Sequence, residues 1–342
     1  MTDTDVLVVG GGPVGLAAAI EARRRGLEVV VLEPRPAPVD KACGEGLLPG
    51  ALTALRRLDV DPQGWELTGI AYLGPTSRVD HRFRTGPGRG VRRTALHESL
   101  HQAATGLGAV VLPTRFVPPA HWSVTGDTVS AAGITARHLL ACDGLHSAVR
   151  HAAGLDAPVV GARRYGLRRH FDCPPWDGQV EVHWAAGAEA YVTPVAADTV
   201  GVAVLAPRSR LPGADDLLAP FPALAARLAG REAGTVRGAG PLRRRSRRRT
   251  AGRVRLVGDA SGYVDALTGE GLRVGLAQAH AAVATLDDPT AYEAAWRAVT
   301  RDYRVLTSAL VAWAASPARP AIVATARRSP ALFGAIVERL AR

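Results

Sequence analysis

Val6-Leu7-Val8-Val9-Gly10-Gly11-Gly12-Pro13-Val14-Gly15, close to the start of the chain, decides how the remainder is read. Four consecutive apolar residues have the length and branching of a strand buried in a parallel sheet. Gly10, Gly12 and Gly15 follow at once with the spacing G-x-G-x-x-G. Each glycine meets a mechanical need: a tight turn, a backbone that a pyrophosphate can approach, and close packing of a helix on the strand. The spacing predicts a helix from about Pro13 to Arg25, stopped by Gly26. Its free N–H groups and positive dipole end face the pyrophosphate. Glu28 to Glu33 is then a second strand, and Glu33 stands where a carboxylate grips a ribose diol. Strand, turn, helix, strand and acid in this order read as an adenine dinucleotide site, with Gly10, Gly12, Pro13, Gly15, Glu33 and the nearby Arg35 as its candidate contacts.

Composition bounds the rest. A chain of 342 residues, 47% hydrophobic, can bury a full core and is long enough for two domains, or one with a long excursion. Its 3 cysteines, at unrelated spacings, suggest neither a disulfide framework nor a zinc site. No stretch reaches the ~18 apolar residues of a membrane span, and the amino terminus reads as a strand rather than a signal peptide. A cytoplasmic protein without an integral membrane segment is the expectation. The net charge of +11 raises the question of nucleic acid, yet the basic residues are arginine almost throughout, with Lys41 the only lysine. The densest run, Arg243 to Arg249 around Ser246, lacks the interleaved aromatics of a single-strand platform and reads as a solvated connection into a strand at Val254. No nucleic-acid partner is expected.

Farther along, Pro34 to Pro38 is a loop, and Asp40 to Leu47 is too polar, small and glycine-rich for a core element. A short helix from about Pro49 to Arg57 precedes strands around Leu67 to Leu73 and Val79 to Arg84 and a turn at Gly86-Pro87-Gly88. Thr94 is the expected cap of a helix reaching about Thr105. Ala109 to Leu112 reads as another parallel strand. Trp122 to Thr125, Thr128 to Ala131 and Ile134 to Leu140 form a meander that runs into Asp143-Gly144 and a helix start capped by Ser147. Period-two strands at Gln179 to Trp184, Ala190 to Pro194 and Thr199 to Leu205, then a helix over Ala214 to Leu228, describe an antiparallel sheet set into a parallel chain. Such an insertion is the expected shape of a substrate domain, with Tyr165, His170, His183, Trp184 and Tyr191 as candidates to line a pocket. The parallel pattern returns at Arg253 to Val257, before Gly258-Asp259 and the turn Gly269-Glu270-Gly271-Leu272, which opens a helix to about Leu286. Two helices close the chain, Tyr292 to Ala314 and one through Leu340. The apolar run Val305 to Ala315 is too short for a bilayer and is expected to pack on the first domain or close the substrate cavity.

Asp143-Gly144-Leu145-His146-Ser147-Ala148-Val149-Arg150 is similar to the second signature of flavoprotein hydroxylases of the para-hydroxybenzoate hydroxylase type, and Gly258-Asp259 with Gly269 to Leu272 resembles their third. The glycine turn and these two segments occur in the order of that superfamily and span most of the chain. The resemblance implies FAD, with Asp143 and Gly144 serving both the flavin nucleotide and a visiting NAD(P)H. It also implies that Asp259, following Gly258, holds the ribityl chain. Gly269, Gly271 and Leu272 would then approach the isoalloxazine, where free N–H groups can stabilise charge on its N1–C2=O edge. Arg93 matches the arginine these proteins use near the flavin, with Arg92 a weaker candidate. Gly258-Asp259-Ala260-Ser261-Gly262 and Thr268-Gly269-Glu270-Gly271 depart from the usual hydroxylase form. They look closer to the geranylgeranyl reductase branch, which also carries a Cys-Gly pair where Cys43-Gly44 stands. Cys43 itself reads as a packing residue, and the aromatic signature of flavin halogenases is absent.

The expected architecture is α/β. A discontinuous Rossmann-like FAD-binding domain comprises residues 1–66, 91–160 and 241–342 with the C-terminal helices, and an inserted β-rich substrate domain comprises 67–90 and 161–240. The expected activity is NAD(P)H-dependent oxygenation of an aromatic or polyketide-like small molecule through a flavin C4a-hydroperoxide. Reduction of a C=C bond, as in the geranylgeranyl reductase branch, and non-catalytic binding of flavin or nucleic acid are the alternatives.

Overall fold

A computed structural model describes residues 2–118, 122–161 and 163–342. Its first sheet places the Thr4–Val9 strand between Val29–Leu32 and Ile134–Ala141, parallel to both. Val110–Leu112 extends it on one side and Val254–Leu256 on the other, again in parallel, with the short Thr250–Ala251 strand antiparallel at the edge. The Val6 to Val9 run is almost fully buried, as a strand covered on both faces must be. On one face lie the helices Pro13–Arg23, Arg93–Gly106 and Gly271–Ala284, packed through Leu16, Ile20, Leu96, Leu100, Leu276 and Ala279. The meander Trp122–Thr125, Thr128–Ala131 and Ile134–Ala141 covers part of the other face.

A second sheet is antiparallel except at one junction. Its order is Arg237–Ala239, Arg164–Asp172, Thr199–Pro207, Ala188–Ala196, Gln179–Ala185, Gly69–Leu73 and Arg78–Arg82. The Ala321–Arg328 and Pro330–Ala341 helices pack on the Arg78–Arg82 edge of this sheet, and Pro289–Ala314 packs on the Gly271–Ala284 helix and the Thr250–Ala251 edge of the first. Together these parts make the Rossmann-like α/β fold with an inserted β-rich sheet and C-terminal helices that the sequence predicts.

Several expectations fail locally, each for a physical reason. The Arg164–Asp172 strand has no legible apolar alternation because its inward residues include arginines. Arg164 is buried against Glu189 and Asp265, and Arg168 against Asp40, so charge satisfied by charge replaces the usual apolar face. The helix expected over Ala214 to Leu228 is only Pro222–Leu228; Pro220 and Pro222 end any helix coming from before them, and Pro222 starts a new one at a first-turn position. Arg92, not Thr94, is the cap residue of the Arg93–Gly106 helix. The last helix is two, split ahead of Pro330. Asp40 to Leu47 is partly core after all: Glu45 and Leu47 are buried, and Gly46–Leu47 pairs with Gly88–Gly90 in a small sheet.

Gly15 is the contact on which the first layer closes. A Cβ there would sit 1.9 Å from the Gly10 carbonyl oxygen, so the Pro13–Arg23 helix lies against the turn only with glycine at this position. Gly15→Val is expected to cost about 1–3 kcal/mol or more, read as a lowered melting temperature whether or not cofactor is added.

Candidate functional site

The parallel strands end side by side. Thr4–Val9 ends at Gly10, Val29–Leu32 at Glu33, Ile134–Ala141 at Cys142-Asp143, and Val254–Leu256 leads to Gly258. A cleft of about 950 Å³ runs along this edge, the carboxyl end of the sheet and the point where strand order reverses about Thr4–Val9. Gly10, Gly12, Pro13, Glu33, Arg35, Cys43, Gly44, Arg93, Asp143, Gly144, Gly258, Asp259, Gly269, Gly271 and Leu272 all line it. Gly15 does not, because it is spent on packing. Arg92 is exposed and outside the cleft.

Gly10 adopts φ +102°, where a side chain is strained and a Cβ would meet the Cys142 carbonyl at 2.5 Å. Gly12 is different: its Cβ would meet only Arg93 Nη2, at 3.9 Å, so the backbone there faces open cleft. His97, buried below the turn, pairs its Nε2 with the Gly11 carbonyl at 2.9 Å, and burial lowers its pKa so that the ring is neutral. Sequence reasoning gave no signal for His97, since a buried histidine on a helix face reads as ordinary core.

Glu33 is held tightly. Its Oε1 accepts from the Arg35 backbone N–H at 3.1 Å and from Nε at 2.7 Å; its Oε2 accepts from Gly11 N–H at 3.1 Å and Arg35 Nη2 at 3.0 Å. Burial alone would raise its pKa, but the Arg35 guanidinium wins and holds the carboxyl below its ordinary range. A ribose diol can bond to Glu33 by taking the place of the Arg35 side chain, which is half exposed.

Two buried polar atoms point to a missing partner. Arg93 Nε has none, while its backbone N–H donates to Glu45 Oε1 at 2.8 Å and its Nη2 reaches toward Gly12. Asp143 accepts from Val149 N–H at 3.1 Å through Oδ2, but its buried Oδ1 bonds to nothing, and burial raises its pKa. An unengaged cation beside an open glycine turn at a helix N-terminus, an unsatisfied carboxylate, and Asp259 at the cleft wall form a donor and acceptor set that fits a dinucleotide with a ribityl chain. The residues present therefore fit FAD.

The loop from Asp40 to Leu47 forms one wall. Glu45, at φ +59°, accepts from His170 Nε2 at 2.6 Å. Arg168 pairs with Asp40, and Thr193 Oγ1 donates to the Gly44 carbonyl at 2.8 Å, so the second sheet holds the loop in place. Beyond it, the turn at Leu267 enters a chamber with Tyr72, Tyr191, Trp313, Phe333 and the aliphatic Leu306 and Leu310 in its walls. Tyr191 donates to the Leu267 carbonyl at 2.6 Å.

Of the pocket candidates taken from the middle of the sequence, only Tyr191 lines the cleft. Val180 and Val182 face it, which puts His183 on the opposite pleat, where it meets Glu181 at 3.0 Å. His170 is taken by Glu45, Tyr165 lies under Arg208, and Trp184 packs behind Tyr72. The chamber's remaining aromatics come from a short strand and from the C-terminal helices, far apart in sequence.

The glycine turn, the two further signature segments at the same sheet edge and the two-sheet architecture define a flavoprotein oxidoreductase. The chain is similar over most of its length to FAD-dependent oxidoreductases and shares their fold. A family profile described as FAD dependent oxidoreductase matches residues 5–38. The chain is similar to the menaquinone reductase of Mycolicibacterium smegmatis, 28% identical over 88% of this chain and 81% of that one. It is similar to the rifampicin monooxygenase of Streptomyces venezuelae, 31% identical over 46% of this chain and 36% of that one. Its fold is that of the p-nitrophenol 4-monooxygenase PnpA from Pseudomonas putida DLL-E4, with a TM-score of 0.80, 19% identity, and coverage of 99% and 95%.

Two outcomes follow from the geometry. Gly12→Val has room to fold but projects into the cleft, so the variant is expected to purify with normal thermal stability and without bound flavin, checked by absorbance and melting curves. Glu270, between Gly269 and Gly271, bonds to Arg273 through Oε1 and leaves Oε2 buried and unpartnered. Burial, opposed by Arg273, pushes its carboxyl from 4.5 up to about 7. Folding therefore favours the protonated form, and that stabilisation is complete below about pH 4.5 and lost as pH rises through about 7. Glu270→Gln stays neutral, so the difference in melting temperature is expected to shift in the variant's favour between about pH 5 and about pH 8.

Proposed function

We propose that the chain is an NAD(P)H-dependent monooxygenase that hydroxylates an aromatic or polyketide-like small molecule with an extended apolar body. The observation that carries this reading is the chamber beside Leu267, where Tyr72, Tyr191, Trp313 and Phe333 offer ring faces and edges to an aromatic substrate. Burial pushes the Tyr72 and Tyr191 phenols well above their ordinary range, so both are neutral and neither takes the substrate's proton; Tyr191, whose O–H is given to the Leu267 carbonyl, offers the substrate an acceptor oxygen. The apolar walls exclude water from the reacting face.

Bound FAD would supply the redox and oxygen chemistry. In this reading Gly10, Gly12, Pro13 and the helix that follows cradle the pyrophosphate with Arg93, Glu33 takes the ribose, and Asp259 takes a ribityl hydroxyl. The N–H groups at Gly269, Gly271 and Leu272 face the flavin edge, Cys43 and Gly44 wall one side, and Asp143 and Gly144 meet both nucleotides. Residues 1–66, 91–160 and 241–342 carry the cofactor, while 67–90 and 161–240 face the substrate together with the C-terminal helices that bring Trp313 and Phe333.

A second reading, reduction of a C=C bond, is favoured by the Cys43-Gly44 pair in the cleft wall and by the similarity to a protein named menaquinone reductase. Turnover under isotopically labelled O2, with phenolic and prenyl substrates, separates the two. A product gaining one labelled oxygen atom, with NAD(P)H and O2 consumed together, is expected. A product gaining two hydrogens in the absence of O2 would replace the first reading with the second.

A further inference from the structure

The C-terminal helices carry apolar side chains that the fold leaves uncovered. Val305 is 61% exposed, Leu332 58% and Ile336 38%. Leu332 and Ile336 are four residues apart on the Pro330–Ala341 helix and so share a face, and both also line the cleft. Leu306, Ala309 and Leu310 of the Pro289–Ala314 helix line it too, with Val305 and Ala309 on the outer side of that helix. The apolar wall of the chamber thus continues through the mouth of the cleft onto the surface.

The helices that form this mouth carry an excess of positive charge. Residues 289–342 hold 8 arginines against 3 acids. All three acids are already engaged: Glu293 by Arg249, Asp302 by Arg339, and Glu338 by His81. Arg301 and Arg304 flank Val305 and are exposed, and Arg327 and Arg328 are exposed at the end of the helix just ahead of Leu332. Exposed leucine, isoleucine and valine next to arginines that lack acidic partners is the chemistry of an interfacial surface, apolar groups entering the acyl boundary while cations meet anionic headgroups.

We infer that the mouth of the cleft, formed by the Pro289–Ala314 and Pro330–Ala341 helices, docks on an anionic lipid bilayer. The partner is the bilayer surface rather than its core, since no helix among the described residues is long and apolar enough to cross a membrane. Docking places the opening of the chamber against the lipid, so an apolar substrate passes from bilayer to chamber without crossing water. That last step rests on the proposed substrate class; the docking itself rests on the surface alone.

The test uses the full-length protein loaded with FAD and no substrate. It is sedimented with vesicles of phosphatidylcholine containing phosphatidylglycerol, and with phosphatidylcholine alone. Binding to the anionic vesicles that weakens as salt is raised is expected. Leu332→Ser with Ile336→Ser, and separately Arg327→Gln with Arg328→Gln, are each expected to lower vesicle affinity roughly tenfold or more. Flavin absorbance and melting temperature identify any variant that fails to fold, and Val305→Ser with Arg301→Gln, at positions outside the cleft lining, then serves in its place. No binding to anionic vesicles, or affinity unchanged in the folded variants, overturns the inference. So does a concentration-dependent dimer that dissociates in Leu332→Ser/Ile336→Ser, because the face would then belong to a second copy of the chain. No turnover is measured, so failure here is separate from failure of the oxygenation reading.

Discussion

The structure depends first on the approach of the Pro13–Arg23 helix to the Gly10 carbonyl, allowed by the missing side chain of Gly15. This contact fixes the helix start above the carboxyl end of the central strand. The unpaired N–H groups of the first turn then open into the cleft instead of into solvent. With that helix in place, the helices Arg93–Gly106 and Gly271–Ala284 have a surface to pack on, and each brings one end to the same edge. Arg93 and the Gly269 to Leu272 turn, far apart in sequence, meet Gly12 and Asp259 there for this reason.

A second constraint is buried charge. Arg164 bonds to Glu189 and Asp265, and Glu189 also holds Arg319, which in turn donates to the Ala185 and Ala188 carbonyls. These pairs tie the antiparallel sheet to the segment before Leu267 and to the connection between the C-terminal helices. Ion pairs of this kind add little net stability over well-packed apolar groups, but breaking one side leaves a charge stranded, so they favour one docking of the parts over slipped alternatives. Burial raises the Asp265 carboxyl to about 6 even beside Arg164, which shows how far the site has been withdrawn from water.

How much of this was legible in the sequence follows from where the information is held. The Val6 to Val9 strand and the helix after the glycine turn stand where the sequence puts them, because a parallel strand and its tight turn are specified by adjacent residues. Asp143, Asp259 and Gly269 come from the family resemblance, and the fold brings all three to the one cleft. Arg164–Asp172 is not, since a strand whose inward face is arginine can be recognised only once Glu189, Asp265 and Asp40 are known to lie opposite. The chamber is the harder case: Tyr72, Trp313 and Phe333 share a wall only through tertiary packing, and no spacing along the chain announces it. Histidines expected in the pocket turn away because a pleat alternates faces and because Glu45 claims His170.

The interleaving of the two sheets along the chain has a consequence for its synthesis. The Thr4–Val9 strand acquires both neighbours once Ile134–Ala141 has left the ribosome. Yet Val254–Leu256 and the Gly271–Ala284 helix, which covers the apolar side of Pro13–Arg23, emerge only after the whole antiparallel sheet. The earliest-made helix therefore waits with Leu16 and Ile20 partly uncovered while more than half of the polypeptide is translated, an interval in which chaperones have an exposed greasy target. Closing the nucleotide edge therefore needs residues from both ends of the chain, and pairing across so long a stretch of sequence is intrinsically slower than local helix formation.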